Sequence, residues 1–292
     1  MLYPKLSSLL SSLFLLGAAS GVVGNLFPDP IPTGVIPRKT DPFSGTVNAF
    51  FALVPLPVSL LNSTVPSGVE LAYNTSTLGE EDAFYGPYAR ELPKDEVYIL
   101  VQLGKEINAG WTNIHSSLKN FNEVKITLPW ASRVSSTGNT TTHQPIRLAH
   151  WTDDPKQRKR IPHSVHAPVD LGSINATETF YNLSTGTTPG IASANFTAEP
   201  ISSTTASTTF SAFPPILMQA LEGRVVGLSA LNEEFYAYRA TAAAQLIHAN
   251  LTLSTKLWNR YDESPQFITL PVIGYKASFD WTMHHQPYEW ND

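Results

Sequence analysis

Two neighbouring segments alternate apolar and polar residues over about ten positions each. They are DEVYILVQLGKEI (95–107) and FNEVKITLPW (121–130). A period of two is the signature of a β-strand, because successive side chains leave opposite faces of the pleat. In the first segment Val97, Ile99, Val101 and Leu103 share a face, and Tyr98, Leu100 and Gln102 occupy the other. Both faces are largely apolar, which places this strand centrally in a sheet. In the second, Val124, Ile126, Leu128 and Trp130 share one face and Glu123, Lys125 and Thr127 the other. A chain built on such segments must pair them with non-local partners.

The remaining sequence is punctuated in the same way. Residues 21–46 are rich in Pro and Gly and are expected to run extended before a first buried strand, TVNAFFALVPLPVSLL. VPSGVELAY reads as a turn and short strand. WTNIHSSLKNF has room for a turn or two of helix. The segment near Pro145 to Trp151 returns as a strand from a hairpin. Residues 172–212 are dominated by Ser, Thr, Ala and Gly. Phe180, Tyr181, Ile191, Phe196, Ile201 and Phe210 recur too often there for a flexible linker, so short strands are expected. PILMQALEG has helical spacing with a glycine stop, RVVGLSAL reads as a strand, and HANLTLSTKL alternates. The segment before it, NEEFYAYRATAAAQL, is open between helix and strand. One mainly β domain with a few short helices results, either barrel or sandwich.

The first twenty residues carry Lys5, an apolar run ending at Leu16, and then Gly17, Ala18, Ala19 and Ser20. That is the layout of a signal peptide, so 1–20 is expected to be a cleaved leader and 21–292 a single domain in the secretory pathway or outside the cell. No later stretch approaches the roughly 20 apolar residues of a membrane span. Seven Asn-X-Ser/Thr sequons point the same way: Asn62, Asn74, Asn139, Asn175, Asn182, Asn195 and Asn250. N-glycans are expected on several of the first six. Asn250 lies inside an apparent strand and is the weakest candidate.

Cysteine is absent. Core burial must therefore do the work of disulfides, and thiol nucleophiles, thiolate metal sites and iron–sulfur clusters are excluded. Net charge is −5, and Asp, Glu, Lys and Arg make up 15% of the chain. The one basic cluster, Lys156 to Arg160, sits in a Pro-bounded loop behind Asp153 and Asp154. That is a solvated loop and not a nucleic-acid surface. Lys159–Arg160 would also suit a processing protease.

No nucleophile elbow, H-E-x-x-H, Walker loop, dinucleotide fingerprint or EF-hand occurs. His163 and His166, and the adjacent His284 and His285, are the places for a metal, but solvated histidines are the expectation and no cofactor is assigned. Lysine offers more. A neutral amine in an apolar setting attacks carbonyls to form an imine. Lys125 has Glu123 on its own strand face, about 7 Å away along the strand. Lys105–Glu106 is a weaker copy. Arg147, on the strand expected to pair near Lys125, has the fork geometry for a substrate carboxylate. The commoner fate of a Glu–Lys strand pair is a solvated surface, where it contributes under about 1 kcal/mol, and an outward Lys125 is the expectation. Phe50, Phe51, Trp111, Trp130, Tyr236, Tyr238 and Trp281 suffice to line an apolar pocket, though core packing explains most of them.

Three segments, LVPLPVSLL…VPSGVELAY, LPKDEVYILVQLG and FNEVKITLPWASRV, resemble in order and pattern the acetoacetate decarboxylase-like proteins of filamentous fungi. The resemblance covers about residues 47–150, and VIGYKASFDWTM is similar to a closing strand. It implies a conical antiparallel β-barrel around an apolar ligand cavity. The decarboxylases carry a Gly-Phe-Pro-Lys-Lys type segment that supplies the imine-forming lysine. This chain lacks it; Pro37-Arg38-Lys39 and Pro93-Lys94 are imperfect echoes elsewhere. The decarboxylase mechanism therefore does not transfer.

What the resemblance implies is an enzyme of fungal secondary metabolism. It would bind a small apolar carbonyl compound, polyketide- or terpenoid-like, and promote decarboxylation, isomerisation or cyclisation. Lys125 would serve as amine or proton donor, Glu123 as acid–base group and Arg147 as anion clamp. The alternatives are a non-catalytic small-molecule carrier and a glycosylated cell-surface or matrix β protein. Convergent ionisable groups inside the barrel mark the enzyme; an apolar lumen marks the carrier.

Overall fold

The alternating segments pair as their period requires. The computed structural model describes residues 43–287 except 62–63, 66–68, 71–84, 90, 111–118, 134–143, 159–168, 178, 187–189, 198–209, 212–213, 215, 218–219, 221–222, 228–231, 241–243 and 260. At 43, 69–70, 132–133, 144, 197, 210–211, 223–227, 232–240 and 282–287 it describes the backbone alone. Residues 43–46 of the Pro-rich stretch already belong to the first strand. Residues 1–42, which hold the segment read as a leader and most of that stretch, and Asn62, Asn74, Trp111, Asn139, Lys159–Arg160, His163 and His166 lie outside the described residues. So do the side chains of Tyr236, Tyr238, His284 and His285.

The strands are β1 (Phe43–Pro57), β2 (Val69–Glu70), β3 (Glu96–Gly110), β4 (Lys119–Arg133), β5 (Gln144–Thr152), β6 (Asp170–Leu171) and β7 (Ser173–Ala176). They continue with β8 (Phe180–Ser184), β9 (Ala192–Thr197), β10 (Phe210–Ser211), β11 (Gly223–Gly227), β12 (Asn232–Ala240), β13 (Ala244–Ser254) and β14 (Phe267–Pro287). The segment 172–212 contributes strands, as its recurring aromatics require. The ambiguous stretch before HANLTLSTKL is strand throughout its described length. Short 3-10 turns follow β1 and β13, and residues 216, 217 and 220 are helical. The helix expected in 111–118 falls outside the described residues, and Lys119 and Asn120 already belong to β4.

Neighbour pairing runs β1-β3-β4-β5-β11-β12-β14, and β1 pairs again with β14, from Phe43↔Met283 to Phe51↔Tyr275. Seven strands thus close into a barrel with no free edge. The fold is mainly β, as the sequence predicts. It is not wholly antiparallel, because β11 and β6 each run parallel to β5. The long connection between β5 and β11 provides for the parallel return, which a tight hairpin cannot. The N-terminal half of β14 carries a second run, β13-β9-β8-β7.

The two faces of β1, β3 and β4 each bury a core. Phe50, Ala52, Val54, Ile99, Val101, Leu103, Val124 and Ile126 pack against Tyr181, Leu183, Ala194, Phe196 and Leu251 of the second run. Val47, Ala49, Phe51, Leu53, Tyr98, Leu100, Phe121 and Trp130 face Tyr275, Phe279 and Trp281 inside the seven-stranded ring. The ring is tight at Gly104, where a Cβ would lie 2.3 Å from the Ala49 Cβ and 2.6 Å from the Asn48 carbonyl. Only glycine permits β1 and β3 to approach this closely.

Two register shifts between β4 and β5 break the period of two. Between Leu128↔Ile146 and Ala131↔Gln144 strand β4 carries one extra residue. Trp130 consequently turns into the ring while Leu128 and Ala131 face the other core. This corrects the expectation that Trp130 shares a face with Val124, Ile126 and Leu128. Between Ile126↔Ala149 and Thr127↔Arg147 the extra residue is on β5. Leu148 and Ala149 both enter the outer core, and such a bulge re-aims every side chain beyond it.

Candidate functional site

Lys125 does not face water. It is 5% exposed, Glu123 and Glu106 are each 1% exposed, and His150 and Arg147 are 6% and 7% exposed. The expectation of an outward, solvated pair is therefore corrected. The reason is topological: the face of β4 opposite Val124 and Ile126 looks into a closed ring, so both faces of the strand are buried.

Register brings the groups together. Lys125 is flanked across the sheet by Gln102 of β3 and His150 of β5, and Glu123 by Gly104. Glu106 stands two residues beyond Gly104 on the same face. The Lys125 Nζ is 3.0 Å from the Glu106 Oε1 and also contacts the Glu123 Oε1. Glu123 accepts a hydrogen bond from the Gln102 Nε2 at 2.7 Å, and its second oxygen meets the His150 Nε2 at 3.0 Å. The Trp281 indole donates to the Glu106 Oε2 at 2.7 Å, and Lys125 lies 5.9 Å from that ring's centroid. Trp281 belongs to β14, separated from β3 by β1. Its reach to Glu106 is possible because the ring is concave inside.

Arg147 pairs with Thr127, one step of the same face from Lys125. Period two would put Arg147 and His150 on opposite faces, since their numbers differ by three. The β5 bulge at Leu148 turns both inward. Tyr181 supports the cluster from the opposite core. Its buried phenol donates to the Glu123 carbonyl at 2.7 Å and lies 3.4 Å from the Gly104 carbonyl, tying β3 to β4 beneath the ion pair.

The electrostatics follow from this crowding. Burial first, and then the nearby charge of Glu123, push the Glu106 carboxyl well above the usual carboxylate range, although Lys125 pulls the other way. Burial, reinforced by Lys125 and Arg147, holds His150 well below the usual imidazole value. A neutral His150 then has one ring N–H to donate, and Glu123 is its acceptor. Burial also drives the Tyr181 phenol up, so it stays a donor. At the far end of the inner face Tyr98, pushed up to about 12, forms edge contacts with Tyr88 and Trp130. The inner face thus grades from aromatic to ionic.

Stability should depend on pH with opposite signs for the two shifted groups. Glu106 holds its proton more tightly folded than unfolded. Its contribution is fully present below the ordinary value of about 4.3 and is lost as pH rises through the raised folded value. His150 releases its proton on folding. Its contribution is present above about 6.5 and is lost as pH falls towards the depressed folded value. Denaturant midpoints measured against pH should show that Glu106→Gln flattens the alkaline side and His150→Gln the acid side. Parallel curves for wild type and both variants would contradict the placement of these groups.

Among the described residues no group of three or more His, Asp or Glu side chains could hold a metal ion. In the inner cluster an ammonium already lies between the two carboxylates. Of the residues singled out from sequence, Lys125, Glu123 and Glu106 converge and Arg147 joins their face, whereas Lys105 of the Lys105–Glu106 pair is on the opposite side of β3. Gln102, His150 and Trp281 were not expected as a set. Gln102 could have been found, because it is a polar side chain in the middle of a central, largely apolar strand.

No family profile matches the chain, and no curated protein matches it. Solved structures do. The enduracididine biosynthesis enzyme MppR with HEPES buffer bound superposes with a TM-score of 0.53 at 12% identity, covering 94% of this chain and 99% of that one. MppR complexed with pyruvate gives 0.52 at 13% identity, over 88% and 94%. An acetoacetate decarboxylase gives 0.51 at 10% identity, over 94% and 96%. This chain shares their fold. At such identities the likeness extends to the barrel and not to any residue within it. The likeness in fold spans nearly the whole chain, where the pattern resemblance is confined to about residues 47–150.

Proposed function

We propose that this protein is an enzyme of lyase or isomerase type that transfers protons to and from a small, largely apolar carbonyl compound inside the barrel. The observation that carries the reading is a buried ammonium, Lys125, held between two carboxyl groups with a histidine attached to one of them. Groups that cost this much to bury, and that titrate at opposed extremes, cluster where proton transfer is the task. A carrier for apolar molecules has no use for them.

The arrangement favours proton donation by Lys125 over attack by its amine. Imine formation needs a free base, and two carboxyl contacts favour the charged form. In the proposed step Glu123 removes a proton from the carbon beside the carbonyl. Lys125 donates to the oxygen as it gains charge, and the carboxyl of Glu106 returns a proton to Lys125. Arg147 would hold a substrate carboxylate, whose loss would make the reaction a decarboxylation. The apolar end of the inner face suits a polyketide- or terpenoid-like body. Routing through the secretory pathway of a fungus, with N-glycans on several of Asn62, Asn74, Asn139, Asn175, Asn182 and Asn195, belongs to the same proposal.

Acetoacetate, pyruvate and a panel of methyl ketones and β-keto acids in deuterated water supply the test. Deuterium incorporation beside the carbonyl, or carbon dioxide release, is expected from wild type. Neither should be altered by borohydride. Substrate-derived mass fixed on Lys125 by borohydride would replace the proton donor with an imine. No exchange and no release across the panel would remove the catalytic reading and leave a carrier.

A further inference from the structure

The four described sequons do not scatter over the surface; they lie in two opposed pairs on one face. Asn175 of β7 is directly across from Asn182 of β8, and Asn195 of β9 is directly across from Asn250 of β13. These strands are consecutive neighbours, and their opposite face supplies Tyr181, Leu183, Ala194, Leu251 and Leu253 to the core. Alternation therefore turns all four asparagines outward. Asn175, Asn195 and Asn250 are exposed and Asn182 is half-buried. Asn250, the weakest candidate by sequence because it lies in a strand, is as open as Asn195. In a strand with one open face, only every second residue is buried.

In a strand the hydroxyl residue two positions on shares the face of the asparagine. Thr252 of the Asn250 sequon lies on this face, bonded at 2.9 Å to Thr269 of β14. Asn182 differs: its amide Nδ2 donates to the Ser184 Oγ at 3.0 Å, and that same hydroxyl accepts from the Gly190 amide. In the fold both its amide and its sequon hydroxyl are engaged.

We propose that this outer face is a glycan-bearing face, with Asn250 among its acceptors, and that each cross-strand pair carries one N-glycan. Opposed residues place their Cβ atoms about 4.5–5.5 Å apart, roughly the width of one sugar ring. Two branched glycans do not fit on such a pair without displacing each other. Asn175 takes the glycan in the first pair, since Asn182 is the more enclosed. Asn195 and Asn250 alternate in the second. The donor is a polyprenyl diphosphate-linked oligosaccharide. The asparagine nitrogen bonds to the sugar C1 as the C1–O bond to diphosphate breaks, and the amide proton passes through a base to the departing diphosphate.

The inference rests on the secretory routing above and not on the chemistry of the inner site. Its test is expression of the full chain through a eukaryotic secretory pathway. Enzymatic deglycosylation in ¹⁸O-water then marks each occupied asparagine as labelled aspartate. Label at Asn175 and, in separate fractions of molecules, at Asn195 and Asn250 is expected. In a background of Asn62→Gln, Asn74→Gln and Asn139→Gln the intact protein should carry two glycans. Adding Asn195→Gln or Asn250→Gln singly should leave two, and adding both should leave one. Should that background fail to be secreted, the same single and double changes in the wild-type chain should show the same step on a gel. Three or four glycans in the background, or no label at Asn250, would overturn the proposal. Label confined to Asn62, Asn74 or Asn139 would overturn it while sparing the routing, and a chain with no glycan would sink both.

Discussion

Lys125→Met should lower the stability of the protein by about 3–5 kcal/mol, because removing one partner of a buried ion pair strands the other. Here two carboxyl groups are stranded, Glu106 and Glu123, both 1% exposed and both in contact with the lost ammonium. The methionine stem fills most of the lysine's volume, so packing contributes little and the loss is electrostatic. The urea midpoint should fall with an unchanged slope. Pairing the substitution with Glu106→Gln removes the mutual repulsion and should recover on the order of 1–3 kcal/mol, the coupling expected of groups in one network. A single substitution that leaves the midpoint in place would show that water reaches the cluster. On the proposed function the same variant should lose about two to four orders of magnitude in turnover, the usual worth of a positioned proton donor.

Glu123→Ala is expected to be the other severe change. This carboxylate receives the Gln102 amide, the His150 ring and the Lys125 ammonium. Each buried donor left without an acceptor costs about 1–3 kcal/mol, so a total of roughly 3 kcal/mol or more is expected even if water enters the space vacated. Glu123→Gln should be milder, because its amide oxygen still accepts from two of the three, Gln102 and Lys125. Its second oxygen position becomes an NH₂ aimed at the His150 Nε2, and His150 must then change tautomer to accept from it. That change is measurable as a shift of the imidazole nitrogen resonances. Equal midpoints for the Ala and Gln variants would contradict the hydrogen-bond assignment.

Both predictions concern residues visible in the sequence as a strand-borne Glu–Lys pair, yet their environment was not. The pattern of FNEVKITLPW is that of a half-exposed strand, and a polar face ordinarily means water. In this barrel the polar face points at other polar groups, and that depends on β1 and β14 closing the ring from opposite ends of the chain. No local signal reports such closure. His150 was missed for a related reason. Its parity relative to Arg147 is reversed by a bulge, and a bulge depends on which residues face each other across two strands.

The amino-acid sequence by itself determined that this is a cysteine-free, mainly β chain. It also located most of the strands, because alternation of period two is a local property that pleating makes unavoidable. It placed Glu123 and Lys125 on one face of β4 for the same reason. The tertiary structure alone decided that this face is interior, that Glu106, Gln102, His150 and Trp281 meet it, and that Trp130 crosses to its side. Those facts depend on register and ring closure, which bring Glu106 and Trp281, 175 positions apart, within hydrogen-bonding distance. The same pleat that buries Tyr181 and Leu251 turns four sequons outward. Their order into opposed pairs came only when the strands were aligned.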